Sequence, residues 1–317
     1  MKRVSIIMYH YVRELEYSKY PQIKGLEYHL FKEQLEFLQR NFNIITMEEL
    51  IAAYEESYDL PENAALLTFD DGYADHFSYV FPLLNEYKMQ GSFYIPGKTF
   101  TEGKVLDVNK IHFILASGEI ENVLQRLYKL LNFYRGREFE FASNEELFEK
   151  YGIITRFDSK EVNFVKKILQ TALPERVRNL ITNQLFEEFV GGNEKAFAKE
   201  LYLNHEQIAC MKRNGMFIGL HGYEHYWLGN LTEKEVEVDI EKALECMQDY
   251  VELSKWVLNY PYGSFNDSVI TRIREKGCCL AMTTEVRTAI VPIDSRYTLP
   301  RLDTNDFPPK SDNYINM

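Results

Sequence analysis

Carboxylates and imidazoles that could do chemistry cluster at two places in the 317-residue sequence. Asp70 and Asp71 follow one short apolar run, and His221 and His225 follow another, in the segment HGYEH. Alone, the two aspartates could be a turn with helix-capping acids. Beside a cation, one carboxylate can bind the metal while its neighbour acts as a base. Asp71 with the two histidines makes a ligand set that fits zinc and leaves positions open for water and substrate.

The spacing of the two histidines leaves a second interpretation open. On a helical turn, residues i and i+4 place both imidazoles on one face. HGYEH also matches H-x-x-E-H, a metallopeptidase pattern in which Glu224 would be the base. That alternative needs a long helix, whereas Gly219, Gly222 and the apolar run before the motif favour a loop. It also leaves Asp70 and Asp71 without a role.

Short apolar runs alternate with amphipathic helical patterns, which is typical of βα units in an α/β fold. The predicted strands are Val4–Tyr9, Ala65–Phe69, Gly91–Ile95, Met216–Leu220, Trp256–Tyr260 and Cys278–Met282. His10 follows the first strand, Asp70 the second, His221 the fourth and Pro261 the fifth. Because ligands bind at the carboxyl ends of parallel strands, these positions predict a single site.

Capping patterns predict where several helices begin. Thr46 with Glu49 and Thr232 with Glu235 each match a capping box, and Asn266 can cap a later helix.

Residues 101–203 are rich in helix formers and offer few strand signals. We predict that they form a helical insertion in a barrel domain of residues 1–100 and 204–317. The insertion could cover the site, form an oligomer interface or enlarge the core, and the sequence does not choose.

The composition excludes some partners. The formal net charge is −12, and no strong basic run interrupts it, so we expect no binding to nucleic acid or to an anionic membrane surface. The run in MKRVSIIMYHYV is too short and polar for a signal peptide, and no stretch approaches the ~20 apolar residues of a transmembrane segment. We therefore expect a cytoplasmic protein. The four cysteines show neither disulfide nor zinc-ligand spacing.

Several motifs in this order resemble the polysaccharide deacetylases, in particular the group similar to chitooligosaccharide deacetylases. They are LLTFDDGY, GLHGYEH, NYPYGSFN, Thr283-Thr284 and the LPR segment at Leu299–Arg301. The resemblance covers roughly residues 1–100 and 204–307. It implies a distorted, incomplete (β/α) barrel of the α/β class.

The resemblance also assigns roles to residues. It implies that Asp70 is the catalytic base and that Asp71, His221 and His225 bind the metal. It further implies that the backbone N–H of Tyr262 helps to hold the oxyanion.

Two positions depart from the family's pattern. Asn259 stands where the family often has an arginine that orients the base, and Arg301 is our candidate replacement. The family's late Leu-x-His motif, which supplies the general acid, is missing from the last part of the sequence. Met8-Tyr9-His10 resembles that motif at the front, an order found in some biofilm exopolysaccharide deacetylases. His10 is therefore predicted to be the general acid.

These features predict a metal-dependent carbohydrate deacetylase, a hydrolase acting on linear C–N amide bonds. Water activated by the metal attacks the amide carbonyl, with Asp70 as base and His10 as acid. Zinc is the first choice of metal, and cobalt, nickel and iron are alternatives.

The expected substrate is an N-acylated amino sugar that is nucleotide-linked, lipid-linked or part of an oligosaccharide, a precursor of a surface polysaccharide. Other functions stay open: a metallopeptidase, a non-catalytic carbohydrate-binding relative, and a deformylase or small-amide hydrolase. The sequence does not identify the sugar, the acyl group, the native metal or the oligomeric state, and a homo-oligomer is one option.

Overall fold

The computed structural model describes residues 2–155 and 158–317, which form strands and helices in alternation. The strands are β1 (Lys2–Tyr9), β2 (Val12–Arg13), β3 (Leu26–Glu27), β4 (Asn43–Ile44), β5 (Ala64–Phe69), β6 (Gly91–Ile95), β7 (Phe217–Leu220), β8 (Trp256–Asn259), β9 (Cys278–Met282), β10 (Ala289–Val291) and β11 (Leu302–Asp303). The α-helices are α1 (Tyr28–Asn41), α2 (Met47–Glu55), α3 (Phe81–Tyr87), α4 (Gly97–Thr101), α5 (Asp107–Ser117), α6 (Ile120–Tyr134), α7 (Asn144–Tyr151), α8 (Lys160–Lys167), α9 (Glu175–Phe189), α10 (Glu194–Leu201), α11 (His205–Arg213), α12 (Glu233–Met247) and α13 (Asp267–Glu275). Each of the six predicted strands is present, with its ends within two residues of the prediction.

The chain divides into two compact units. The first comprises Met1–Glu14, Gly25–Lys104 and Ala198–Met317, and the second comprises Leu15–Lys24 and Val105–Phe197. These limits differ from the sequence-based domain limits by a few residues at each end of the insertion. They also assign Leu15–Lys24 to the helical unit, a segment that the sequence analysis placed in the barrel domain.

The first unit is built on a nine-stranded sheet in the order β10-β1-β5-β6-β7-β8-β9, with β4 beside β5 and β11 beside β1, and β2 and β3 form a separate two-stranded sheet. Neighbouring strands from β1 to β9 in this order are parallel, and β10 is antiparallel to β1. Every residue of β5 and β6 is buried. Such continuous apolar runs are typical of parallel strands that are covered on both faces.

Helices of the first unit begin where the sequence predicts. Thr46 and Glu49 form a complete capping box at the start of α2, and Thr232 and Glu235 form one at the start of α12. Asn266 caps α13 through a hydrogen bond from the N–H of Val269. These side chains satisfy backbone N–H groups that have no partner within the helix.

The second unit consists mainly of helices. Its helices α5, α6, α8 and α9 pack through fully buried aliphatic and aromatic side chains. These include Ile111, Ile114, Val123, Leu127, Leu131, Phe164, Val177, Ile181 and Leu185. Asp158 accepts a hydrogen bond from Lys24 at 2.5 Å and from Lys166 at 2.7 Å, so Leu15–Lys24 is tied to this unit by an ion pair.

No helix among the described residues is both long and apolar enough to cross a bilayer. The four cysteines are all free thiols, and Cys278 and Cys279 are buried in β9, as the sequence predicts.

Candidate active site

Parallel strands of the first unit end at one edge of the sheet and position the polar residues there. β1 and β5 pair in a register that sets Tyr9 opposite Phe69, so His10 and Asp70 follow side by side. The N–H of Asp70 donates to the carbonyl of Tyr9 at 2.9 Å. His221 follows β7, whose neighbour β8 ends at the same level. The register of the strands thus brings segments that are far apart in the sequence to one place.

Asp71, His221 and His225 converge on a single point. Oδ1 of Asp71 lies 3.4 Å from Nε2 of His221 and 3.3 Å from Nε2 of His225. One ligand atom from each residue lies within 4.8 Å of the others, and all three residues are buried. Among the described residues, Oδ1 of Asp71 has no hydrogen-bond partner. A buried carboxylate oxygen that faces two imidazole nitrogens without a hydrogen bond suits a shared divalent cation.

Contacts behind these three residues fix their orientation. Nδ1 of His221 lies 2.7 Å from the carbonyl oxygen of Asn259. Because a carbonyl only accepts, Nδ1 carries the hydrogen and Nε2 keeps its lone pair for a metal. The hydroxyl of Tyr73 donates to Oδ2 of Asp71 at 2.5 Å. The other carboxylate oxygen of Asp71 is therefore left to face the histidines.

The backbone at this site adopts the left-handed conformation, which residues other than glycine rarely take. Asp71 has φ 72°, His225 has φ 61° and Tyr262 has φ 58°. Each such residue costs on the order of 1–3 kcal/mol and persists only where the surrounding structure imposes it. Three non-glycine residues of this kind meet at one site, so the packing around it imposes their conformation.

The segment from His221 to His225 is a loop and contains no helical turn. Gly222 has φ 69°, and His225 has φ 61°, both in the left-handed region. The helical-turn geometry considered for the two histidines is therefore wrong, and their imidazoles meet because the loop reverses direction. Glu224 points to Lys98, with 2.5 Å between its Oε2 and the ammonium nitrogen.

Asp70 is held by a bidentate ion pair. Nη1 and Nη2 of Arg301 lie 2.9 Å from Oδ1 and 2.8 Å from Oδ2 of Asp70, and both residues are fully buried. The side-chain amide of Asn259 donates to Oδ1 of Asp70 at 2.6 Å. Nε of Arg301 donates to the carbonyl of Thr283 at 2.9 Å, which fixes the plane of the guanidinium. Arg301 and Asn259 together orient the carboxylate of Asp70.

Charges at the site shift the pKa of each ionisable group. Burial raises the pKa of Asp70, but Arg301, His221 and His10 together outweigh it, and the resulting pKa is about 2. Burial also opposes ionisation of Asp71, yet the two histidines hold its pKa well below the usual range. Burial lowers the pKa of His225. At His221 burial is outweighed by the carboxylates of Asp70 and Asp71, which raise the pKa. Both aspartates are thus ionised at neutral pH.

His10 lies half-buried at the end of β1, near both aspartates. Its imidazole contributes to lowering the pKa of Asp70 and of Asp71. Nε2 of the fully buried His76 lies 2.9 Å from the carbonyl oxygen of His10 and therefore donates to it. Burial lowers the pKa of His76 to about 4, so this donor is neutral at physiological pH. His76 begins a short π-helical turn, His76–Val80, a type of irregularity that is frequent at functional sites.

Tyr262 lies in the short 3₁₀ turn Pro261–Gly263, directly after β8 and Tyr260. Its ring stacks on that of Trp227, with 4.3 Å between centroids and 5° between planes. It also meets the imidazole of His225 edge-on at 4.7 Å. The aromatic pair therefore forms one wall beside the metal-ligand candidates.

Sequence reasoning assigned no supporting role to Tyr73, His76 or Asn259. Tyr73 stands two positions after Asp71 in DDGY, so its place in the motif was a usable signal. Asn259 was noted only as a departure from the family's pattern, although it contacts both His221 and Asp70. No pattern in the sequence indicates that His76 supports the backbone of His10.

Comparison with known proteins gives the fold class. The deacetylase PplD of Streptococcus pyogenes, solved with acetate, matches with a TM-score of 0.58 and 14% identity over 99% of this chain and 96% of that one. IcaB from Ammonifex degensii matches with a TM-score of 0.55 and 18% identity over 96% of this chain and 94% of that one. A de-N-acetylase from Aggregatibacter actinomycetemcomitans gives 0.55 and 16%, over 95% and 94%. The predicted α/β fold, an incomplete (β/α) barrel, is confirmed.

The family model for polysaccharide deacetylases matches residues 57–142 and 148–280, which is more than half of the chain. The chain therefore belongs to the polysaccharide deacetylase family. The matched ranges contain Asp70, Asp71, His221 and His225 but neither His10 nor Arg301. No match was found among curated proteins.

Proposed function

We propose that this protein is a metal-dependent N-deacetylase of an amino sugar. The observation that carries the proposal is the meeting of Asp71, His221 and His225 beside an ionised Asp70 that Arg301 holds in place. Membership in the polysaccharide deacetylase family supports the carbohydrate deacetylase activity.

The donor set fits a divalent cation. Two imidazoles and one carboxylate suit zinc, and they also suit cobalt, nickel and iron. Burial of an ionised Asp71 is costly unless a positive charge compensates it. A cation held by Asp71, His221 and His225 would provide that charge and would satisfy the carboxylate oxygen that has no hydrogen-bond partner among the described residues.

A bound cation would lower the pKa of a water molecule and polarise the substrate carbonyl. Asp70 is ionised at neutral pH and would accept the proton of the attacking water. The backbone N–H of Tyr262 would donate to the tetrahedral oxyanion. His10, on the neighbouring strand end, would protonate the amine nitrogen, which is a poor leaving group without a proton. Arg301 and Asn259 would keep Asp70 oriented during this exchange.

The proposed substrate is an N-acetylated amino sugar in the cytoplasm, a nucleotide-linked or lipid-linked precursor or an oligosaccharide that enters a surface polysaccharide. The net charge of −12 disfavours a strongly anionic polymer as substrate. An N-formyl group on the same nitrogen would meet the same donors, so the choice between acetyl and formyl is part of the test.

The metallopeptidase alternative makes Glu224 the base. Glu224 is paired with Lys98 at 2.5 Å, and the loop that carries it is not the long helix that this alternative needs. Glu224→Gln should therefore retain most of the deacetylase activity, to within about twofold, because the lost contact is a partly exposed ion pair. A loss of about 10²-fold or more would favour a peptidase-like role for Glu224.

The decisive experiment is reconstitution of the purified protein with Zn²⁺ or Co²⁺, followed by a screen of N-acetyl and N-formyl amino sugars. Donors should be tested free, nucleotide-linked, lipid-linked and as oligosaccharides, with released acetate or formate measured directly. His225→Ala, which removes one ligand, is the control and should release none. If the wild-type protein binds one metal ion but releases no acid from any donor, the chain is a non-catalytic relative and the proposal fails.

A further inference from the structure

The loop that carries the two histidines is anchored through its backbone by two helices of the first unit. Oδ2 of Asp239, in α12, accepts a hydrogen bond from the N–H of Tyr223 at 2.9 Å, and Oδ1 accepts one from the N–H of Glu224, also at 2.9 Å. On the other side, the N–H groups of Gly97 and Lys98 donate to the carbonyls of Gly222 and Tyr223 at 3.1 and 3.0 Å. Hydrogen bonds to its backbone N–H and C=O groups thus hold the loop from both sides.

Asp239 is unusual for its place in α12. It lies at the seventh position of a 15-residue helix, far from the capping positions, and is only 4% exposed. A buried carboxylate in a helix interior is costly unless it is fully hydrogen-bonded. Each carboxylate oxygen of Asp239 accepts a hydrogen bond from one of two neighbouring loop N–H groups. Asp239 therefore stabilises the loop and does not cap its own helix.

Gly222 shows that the loop and this carboxylate are fitted to each other. A Cβ at Gly222 would lie 2.9 Å from Oδ2 of Asp239, closer than side-chain atoms normally approach. Gly222 also has φ 69°, a conformation that only glycine adopts without strain. The carboxylate therefore occupies the space that any larger residue at position 222 would need.

We propose that Asp239 is a positioning residue for metal binding: it holds the Tyr223 and Glu224 peptides so that His221 and His225 both reach Asp71. The inference rests on the proposed metal site. Without Asp239, two part-buried N–H groups lose their acceptors, and the loop loses the hydrogen bonds from α12 that help to keep His225 in its left-handed conformation. The two imidazoles would then meet in only a fraction of the molecules, and metal affinity falls by that fraction.

The first test measures metal affinity of Asp239→Asn by titrating the metal-free protein with Co²⁺, followed by visible absorbance, and with Zn²⁺ in competition. Asparagine keeps the shape of the side chain but has one acceptor oxygen instead of two. Its NH₂ group would face a backbone N–H of the loop and could not accept a hydrogen bond from it. The Kd should rise by about 10- to 100-fold, as for other residues that orient metal ligands. Glu245→Gln removes the same charge from an exposed site on α12 and should stay within twofold.

Activity at saturating Zn²⁺ separates positioning from a general folding defect. If Asp239 acts through the metal ligands, excess Zn²⁺ should restore kcat of Asp239→Asn to within a few-fold of wild type. An unchanged Kd for Co²⁺ in Asp239→Asn would overturn the proposal. So would a kcat that stays low when the site is full of metal.

A second pair of variants tests the contact itself. Gly222→Ala should weaken metal binding in the wild-type background, and the methyl group should weaken it less once Asp239→Ala has cleared the space. Additive effects of the two changes would contradict the proposed fit.

Amide hydrogen exchange of the metal-free protein supplies a readout that needs no activity. Exchange at Tyr223 and Glu224 should be faster in Asp239→Asn than in wild type, while the rest of α12 keeps its protection. If wild type binds no metal and releases no acetate, the proposed function fails on its own. Unchanged exchange at Tyr223 and Glu224 would instead refute the role of Asp239.

Discussion

Asp70 receives hydrogen bonds from Arg301 and Asn259, two residues that follow it by 231 and 189 positions. We proposed from the sequence that Arg301 replaces an arginine that the family's pattern often places at position 259. Arg301 supplies the charge, and Asn259 adds a neutral donor whose own carbonyl orients His221. Asp70 and His221 therefore share one supporting residue, and a change at Asn259 would disturb both.

Asp70→Asn should lower kcat for amide hydrolysis by about 10²–10⁴-fold and leave a metal site that still fills. The variant also leaves Arg301 buried without its counter-charge, which costs on the order of 3–5 kcal/mol of stability. Acetate release, metal content and urea unfolding should be measured on the same preparation.

A double variant separates these two effects. Asp70→Leu with Arg301→Met replaces the ion pair with apolar side chains and should recover stability but no turnover. Full activity in Asp70→Asn would remove Asp70 from the mechanism.

His10→Asn tests the general acid. The variant should hydrolyse an N-acetyl amino sugar about 10²–10⁴-fold more slowly than wild type, because the amine leaves only with a proton. An activated aryl acetate, whose phenolate leaves without protonation, should lose far less. The ratio of the two rates in wild type and variant is the measurement, and equal losses on both substrates would show that His10 has a structural role.

At the scale of elements, α12 begins at the Thr232 capping box and carries Asp239, which contacts the loop of the candidate site. The stability of this helix therefore bears on the position of the loop. Thr232→Ala should destabilise the first unit by about 1 kcal/mol, because an N–H at the first turn of the helix loses its acceptor. Urea unfolding gives the value. Thr271→Ala, which removes an exposed hydroxyl inside α13, is the control and should change stability by less. Equal effects would show that capping of α12 is not what stabilises this unit.

The sequence was sufficient for the long elements of the fold. The six predicted strands each have an apolar run of at least three residues, and capping boxes marked the start of α2 and α12. Strands β4, β10 and β11 have two or three residues each, too few for any alternation to be visible. Pairing with β1 and β5 creates them, and that pairing depends on tertiary structure.

The residue types of the candidate site could also be predicted, but its geometry could not. The order of DD and HGYEH at strand ends pointed to Asp71, His221 and His225 together. His225 adopts a left-handed conformation, and Asp239 accepts a hydrogen bond from the loop that carries His225. Both features depend on contacts between distant parts of the first unit, and the local sequence contains no signal for them. Arg301 was found only because the family's pattern left a position to fill.

At the scale of the whole molecule, the second unit joins two segments of chain, and the ion pair of Asp158 with Lys24 is one of the contacts between them. Burial raises the pKa of Asp158, but Lys166 and Lys24 outweigh it and lower the pKa below the ordinary value of 3.8. A carboxyl group whose pKa is lower in the folded state stabilises the fold at pH values above the unfolded-state pKa. This stabilisation is lost as the pH falls through the folded-state pKa.

Asp158→Asn should therefore reduce the free energy of unfolding at neutral pH, on the order of 1–3 kcal/mol for hydrogen bonds to a charged group. The difference from wild type should hold from neutral pH to about pH 4 and vanish at lower pH. Unfolding curves at several pH values provide the measurement. Glu149→Gln removes an exposed charge of the same unit and should show a small difference at every pH. A constant deficit for Asp158→Asn down to pH 2 would refute the ion-pair explanation.

The order of segments in the first unit has a consequence for biosynthesis. β1, close to the amino terminus, pairs with β10 and β11, and Asp70 obtains its counter-charge from Arg301. While the ribosome is still adding the last part of the chain, the nascent protein already contains two adjacent acidic side chains without the guanidinium that balances them. The first unit can therefore reach its native state only after Arg301 and β11 have left the exit tunnel.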